Sequence, residues 1–484
     1  MNCAIISRYL GNLLLLEAAF LVPPAAISAS LGEETARRGI LLTVGILVVL
    51  GLLLRRAGQR SGSTFYAKEG FVLVALAWVV MSFLGSLPFY FSGEIPSLVD
   101  CFFETVSGFT TTGASILTDV EAMSKGLLFW RSFTHWLGGM GMLVFLLAVA
   151  PGQKGQGFTL HLMRAESPGP SVGKLVPKMR QTAKILYLLY VGLTIICVLF
   201  LLAGGMPLFD SLCTAFGTAG TGGFGIKNDS MAGYSIYLQG VCTVFMALFG
   251  VNFSVYYLLF RNWRAALKDE EVRLYFAIML SVSAVIACNI YPQMGSVGMS
   301  IHEATFHTSS IMTTTGFAIS NFDLWPELSR VLLLVLMIAG ACAGSTGGGV
   351  KTIRLLLIFK NMKAGFRKLL HPNSVETVKL NGRPVGRSVL EGINTYMSAY
   401  CLIAIASLLV VSLDNFSLVT NLSAVLSCFN NIGPGLDIVG PIHNYSTYSD
   451  LSKIVLSLDM LLGRLEIFPM LILLRPATYR RRQA

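Results

Sequence analysis

Residues 102–115 read FFETVSGFTTTGAS, and the same kind of stretch returns as SLCTAFGTAGTGGF at 211–224, TFHTSSIMTTTGFA at 305–318 and LSAVLSCFNNIGPG at 422–435. Each joins an apolar segment, short of the ~20 residues a spanning helix needs, to a turn rich in glycine and in threonine or asparagine. Aligned, they place Gly113, Gly222, Gly316 and Gly433 at one position, 109, 94 and 117 residues apart. Each interval also holds two longer apolar runs, so the repeating unit reads span, half-helix, glycine turn, span. Irregular backbone at membrane depth survives only inside protein or along a water-filled path. A surface turn or a small-residue helix contact explains one such stretch, but not four at a common period on one predicted side.

The remaining sequence fits a membrane setting. Of 484 residues, 54% are hydrophobic and 13% charged, with a mean hydropathy of +0.68. Soluble domains carry about 25% charged residues, so a soluble enzyme and a disordered chain are both excluded. Ten spans are expected, at 5–30, 37–55, 70–92, 127–150, 183–205, 234–260, 273–292, 327–360, 389–413 and 450–474. The first reads as a retained span, not a cleaved leader, because the apolar stretch is long and a second run follows. The net charge of +11 follows from orientation. Cations gather in 55–68, 154–180, 261–273, 360–387 and 475–482, and acids in the alternate loops, so the first set is assigned to the cytoplasm with both termini. Arg37 and Arg38 are the exception, preceded by Glu33 and Glu34. No basic patch interleaved with aromatics suggests nucleic acid. The nine cysteines form no Cys-x-x-Cys pair and read as small buried hydrophobes.

The turns carry the chemistry. A half-helix entering from outside points its C-terminal dipole at the bilayer centre, which favours a cation there. Glycine lets the returning backbone turn its carbonyls inward. Four copies around an axis give rings of oxygens that replace the hydration shell of a monovalent cation. Candidate filter residues are Thr111, Thr112, Gly113, Thr221, Gly222, Thr314, Thr315, Gly316, Asn431, Ile432 and Gly433. Repeats 2 and 4 depart from the threonine pattern, with Ala219-Gly220-Thr221 and Asn430-Asn431-Ile432, so the four walls differ.

Residues 327–360 are too many for one crossing at about 1.5 Å per residue. Gly340, Gly344, Gly347, Gly348 and Gly349 lie in their middle, and each glycine costs a helix roughly 1 kcal/mol. The span should break there. Arg464, in the last span, is costly at membrane depth. It either contacts Glu466 or a helix end near the cytoplasm, or sits beneath the filter against residues 340–349.

Other patterns are set aside. GSTGGGVKT at 344–352 has one residue too many for a phosphate-binding loop and follows a membrane run. His302, Glu303 and His307 miss the zinc-hydrolase spacing, so no metal is expected beyond the transported ion. Arg131 and His135 read as helix-end anchors. No catalytic constellation appears, so an enzyme is not expected.

With these residues in view, the whole chain closely resembles the Trk/Ktr/HKT superfamily of potassium transporters, in its TrkH/TrkG branch. TTTGAS, TGGF, TTTGFA and NNIGPGL resemble that family's filter segments, and AGSTGGGVKTIR (343–354), GRLEIF (463–468), WLGGMGM (136–142) and AESPGP (165–170) resemble its other motifs. The resemblance implies an all-α polytopic membrane protein with four parallel helix–pore loop–helix repeats around a central pore, plus an N-terminal helix pair. The divisions fall at 1–60, 61–155, 156–265, 266–370 and 371–484. It implies potassium uptake, by channel or symport, across a bacterial inner membrane, with potassium as substrate and no other cofactor. It also implies a homodimer and a cytosolic nucleotide-binding regulatory subunit of TrkA type, and makes Gly344, Ser345, Thr346, Gly347, Gly348, Gly349, Lys351 and Arg464 the gate beneath the filter. In that family, glycine at all four filter positions goes with potassium preference and serine in the first repeat with sodium permeation in some relatives. Asp437, after GPGL, departs from the pattern and adds negative charge near the outer mouth. The competing class, an alternating-access ion-coupled transporter, usually carries inverted repeats, whereas these run parallel.

Overall fold

The computed structural model describes residues 2–59, 67–141, 179–374 and 376–478. The second half of the 127–150 span, Lys154 to Lys178 with the AESPGP motif, Arg60, and Arg480 to Arg482 lie outside them.

An N-terminal pair comes first: Cys3–Phe20 continuing as Val22–Leu31, then Glu34–Ala57. Gly11 and Gly51 let the two backbones touch, since a Cβ on Gly11 would lie 2.6 Å from the Gly51 carbonyl oxygen. Four repeats follow, each a first helix, a short pore helix and a second helix. The first helices are Ala67–Gly85, Met179–Ala203, Glu270–Met294 and Arg387–Val411. The pore helices are Leu98–Phe109, Leu208–Gly220, Val297–Met312 and Leu418–Asn430. At about 1.5 Å per residue they reach roughly 18–24 Å, short of a bilayer core of about 30 Å. Ser97 and Ser417 cap the first and fourth by accepting from Asp100 N and Thr420 N.

Six of the ten expected spans are continuous helices long and apolar enough to cross: Cys3–Leu31, Glu34–Ala57, Lys68–Ser92, Gln181–Ala203, Glu270–Met294 and Arg387–Asp414. The other four expected spans are the second helices, and none is continuous as described. The sequence predicts a single break, at 340–349. The structure stops all four at a similar point. Lys125–Gly139 ends there; Ile236–Phe249 meets Phe253–Arg261 at an 85° bend; Glu327–Ala339 is separated from Thr352–Leu370; Asp450–Arg464 is separated from Phe468–Leu474. The cause is close contact with other elements. A Cβ on Gly138 would lie 1.8 Å from the Phe109 oxygen, and one on Gly463 2.0 Å from the Phe429 oxygen. In repeats 1 and 4 the second helix therefore passes directly under the end of its pore helix, whereas in repeat 2 a Cβ on Gly250 would meet the Tyr275 hydroxyl at 2.5 Å.

The charge sorting corresponds to two ends of the molecule. At one end Lys360 pairs with Glu270, and Asn381, in the hairpin of Lys379–Leu380 and Arg383–Pro384, donates to Asp269 at 2.8 Å. At the other, Glu33 accepts from Lys125 N and Gly126 N at 2.8 and 3.1 Å, and Lys453 pairs with Asp100 at 2.6 Å. The exceptional Arg37 and Arg38 are both offset by Glu34, at 2.8 and 3.3 Å. Six cysteines are buried as expected, whereas Cys3, Cys288 and Cys401 are exposed on helix surfaces.

Candidate ion pathway

The C-terminus of every pore helix is finished in one way. Thr111, Thr221, Thr314 and Asn431 take left-handed backbone angles, φ 57°, 53°, 60° and 57°. The next residue folds back onto the helix: Thr112 N, Gly222 N, Thr315 N and Ile432 N donate to Ser107, Gly217, Ser310 and Ser427 oxygens at 2.9, 2.8, 2.8 and 3.0 Å. This is the closure usually made with glycine. A β-branched threonine there is strained, and such strain clusters at functional positions.

The residue after that is a glycine with positive φ in every repeat: Gly113 (80°), Gly223 (76°), Gly316 (84°) and Gly433 (102°). The second repeat thus corrects the alignment by one residue. Gly222 corresponds to Thr112, Thr315 and Ile432; Gly223 holds the glycine position. Gly222 must still be glycine for a local reason, because a Cβ there would lie 2.2 Å from Nδ1 of His135.

These residues close a ring. A Cβ on Gly113 would fall 2.0 Å from the Gly222 oxygen, one on Gly223 1.9 Å from Thr315, one on Gly316 2.0 Å from Ile432, and one on Gly433 2.7 Å from Thr112. Each glycine abuts the carbonyl before the glycine of the next repeat, in the order 1, 2, 3, 4 and back to 1. The ring is thus reached by Thr112, Gly222, Thr315 and Ile432 through their backbone oxygens.

The glycine-rich break lies directly beneath. Gly348 N donates to Thr314 Oγ1 at 2.6 Å, and a Cβ on Gly348 would meet the Asn430 oxygen at 2.4 Å. One on Gly347 would meet Thr313 O at 2.7 Å. Thr346 is buried and donates to Phe249 O; Gly344 is exposed, and its carbonyl accepts from Phe253 N. Ser345 donates to Cys342 O at 2.6 Å. Gly349, at φ 77°, packs on Gly340. Lys351 is buried and donates to Gly347 O. From the other side Glu271 accepts from Ala343 N at 2.6 Å.

The two readings of Arg464 meet here, one in a loop contact and the other in a helix-end contact. Its guanidinium donates to Thr346 O in the loop at 2.7 Å, and to Gly138 O and Gly139 O, the last carbonyls of the repeat-1 second helix, at 2.5 and 2.7 Å. Glu466 pairs with Arg354, which lies over the Tyr396 ring. Asn431 Nδ2 donates to Thr112 Oγ1 and Met460 O, both at 2.9 Å.

Two residues read as helix-end anchors belong elsewhere. Arg131 is buried in mid-helix and ion-paired with Glu104 of the first pore helix at 2.6 Å. His135 is buried behind Gly222 of the second repeat and meets Gly108 O at 2.8 Å. A charge in an apolar run was the available signal, together with Glu104 inside an apolar half-helix. His302 ties the third pore helix to Gln239 of the repeat-2 second helix at 2.7 Å, and His307 meets Glu303 O within its own helix at 3.0 Å. Among the described residues no His, Cys, Asp or Glu cluster suits a metal. Asp437 accepts hydrogen bonds from the Thr420 and Ser417 hydroxyls at 2.6 and 2.7 Å, so it braces the Ser417 cap of the fourth pore helix. Those hydroxyls hold its carboxyl below the usual range.

Four parallel pore-loop repeats closed into a ring define a membrane protein of the pore-loop cation-transport class. Residues 37–478 match the family model described as TrkH, cation transport protein. The chain is 35% identical to the Trk system potassium uptake protein TrkH of Salmonella typhimurium, over 99% of this chain and 100% of that one. It is 29% identical to TrkG of Escherichia coli, over 97% of each. The crystal structure of the potassium transporter TrkH from Vibrio parahaemolyticus superposes with a TM-score of 0.88 at 33% identity, covering 99% of this chain and 100% of that one. The chain belongs to the TrkH family.

Proposed function

We propose that this chain takes up potassium across a bacterial inner membrane through the ring formed by Thr112, Gly222, Thr315 and Ile432, with Gly113, Gly223, Gly316 and Gly433 as its hinges. The carrying observation is the cyclic contact of each glycine with the next repeat's carbonyl. It supports a closed circle of fixed dipoles that exchanges water for backbone oxygen around a dehydrated monovalent cation. Thr111, Thr221, Thr314 and Asn431 brace it from below. Family membership supports potassium as the ion, since the relatives are Trk system potassium uptake proteins.

Residues Gly344 to Gly349, with Lys351 and Arg464, form the gate under the filter. The Thr314–Gly348 bond and the Arg464 clamp tie loop to filter and to the repeat-1 helix end. The cation-rich end faces the cytoplasm, and membrane potential drives entry with about 2.3 kcal/mol per charge per 100 mV. The protein works as a homodimer with a cytosolic nucleotide-binding subunit of TrkA type. The parallel order of the repeats favours this pore over an alternating-access carrier.

The test is ion flux into liposomes under imposed potassium, sodium and proton gradients. Potassium flux that ignores the other two gradients is the expected result. Equal passage of sodium and potassium by folded protein overturns the filter assignment.

A further inference from the structure

We propose that Arg131 is a positioning residue for ion preference, bolting together the strands that leave the ring in repeats 1 and 2. The inference rests on the filter reading above and deepens it.

Ser115 stands two residues after Gly113, and Gly225 two residues after Gly223, so they are equivalent positions on neighbouring walls. Arg131 reaches both: Nη2 donates to Ser115 Oγ at 3.1 Å and Nη1 to Gly225 O at 2.9 Å. Its Nε donates to Glu104 at 2.6 Å. Glu104 in turn accepts from Ser115 Oγ and Ile116 N, both at 2.9 Å. The guanidinium lies over the Phe224 ring, 3.5 Å from its centre. One turn on, His135 Nε2 accepts from Phe224 N at 3.2 Å, which leaves the Nδ1 proton for Gly108 O.

Together these contacts fix residues 115 and 116 of one wall against 224 and 225 of the next. Arg131 and Glu104 are 3% and 1% exposed. In that environment charge-assisted bonds are strong and directional. Repeats 2 and 3 are joined by Met231 N to Ala318 O at 3.0 Å, and 4 and 1 by Tyr445 N to Ser115 O at 2.8 Å, both neutral; between 3 and 4 Asp437 N donates to the Asp323 carboxylate at 3.1 Å, an exposed contact. The pair is neutral as a unit, so what it contributes is the spacing of two walls. Ion preference depends on cavity size and on the number of carbonyls in reach, and spacing sets both. Lysine keeps the charge but has one compact head in place of a fork, so it cannot hold Glu104 and Gly225 together.

The experiment compares potassium-to-sodium flux ratios, in liposomes at equal folded protein, for wild type, Arg131→Lys, Ser115→Ala and Gly113→Ser. Arg131→Lys is expected to lower the ratio about tenfold, and Ser115→Ala about threefold, in line with losing one or two bonds at the wall. A folded Arg131→Lys protein with the wild-type ratio overturns the proposal, even if its melting temperature falls. Should Arg131→Lys not fold, an unchanged ratio in Ser115→Ala overturns it instead. A ratio altered by Gly113→Ser but not by the bracket variants sinks the bracket and leaves the filter standing. A non-selective wild type sinks both.

Discussion

Replacing Arg464 by glutamine should raise potassium flux, and Coulomb's law at an assumed separation of about 5 Å gives the scale. The guanidinium is anchored on three carbonyls, Thr346 O, Gly138 O and Gly139 O, which hold it beneath the ring. A unit charge about 5 Å from a passing cation repels it by roughly 0.8 kcal/mol in water and about 3 kcal/mol at an effective dielectric of about 20. At tenfold per ~1.4 kcal/mol, removing it should speed passage between about fourfold and two-hundredfold. Freeing Thr346 O also loosens the loop, which acts in the same direction. Arg464→Lys separates the two causes. If charge dominates, lysine keeps flux low; if the clamp dominates, lysine behaves like glutamine. The assay is potassium uptake into liposomes at matched protein, with folding checked by thermal unfolding in detergent. A folded Arg464→Gln protein with wild-type flux would refute the reasoning.

Four further outcomes follow from described contacts. Gly222→Ala and Gly223→Ala should both abolish selective uptake, but shortening His135 to serine should partly restore only the former. The second clash is with a backbone oxygen, Thr315 O, so equal rescue would contradict the register. Arg354→Met leaves Glu466 buried without its partner and should cost about 3–5 kcal/mol of stability; adding Glu466→Met should recover much of the melting temperature. Glu271→Ala removes the acceptor for Ala343 N and should raise basal flux several-fold, whereas unchanged flux would show the loop to be held by other contacts. Asp437 titrates below its usual value because Thr420 and Ser417 donate to it. Its contribution is therefore complete above the unfolded value of about 3.9 and fades as pH falls through the lower folded value. Asp437→Ala should flatten that acid limb, at a cost of no more than about 0.5 kcal/mol near neutral pH because the carboxylate is exposed.

Much of this was legible in the sequence because the repeats carry their own punctuation. Hydropathy and charge located the spans, and TTTG located the first and third turns without ambiguity. The second turn was not, because TGG offers two glycines and composition cannot say which takes the positive φ. The backbone angles of Thr221 and Gly223 decide it. The extra helix breaks were also hidden. A single glycine, Gly250 or Gly463, does not outweigh an apolar run in any local tally; the break comes from contact with another element. Arg131 was visible as a charge in an apolar stretch, but its partners lie 27 and 94 residues away. Nothing local distinguishes such a residue from a helix-end anchor.

The ring of glycine-to-carbonyl contacts has an evolutionary consequence. In an assembly of four identical subunits, one codon change alters every wall at once. Here all four walls are written in one gene, so substitution proceeds a quarter of the circumference at a time. Asparagine in the fourth wall, adjoining glycines in the second and a charged bracket behind the first can each be adjusted separately. Such a pore can explore intermediate ion preferences that a symmetric tetramer can reach only by a jump.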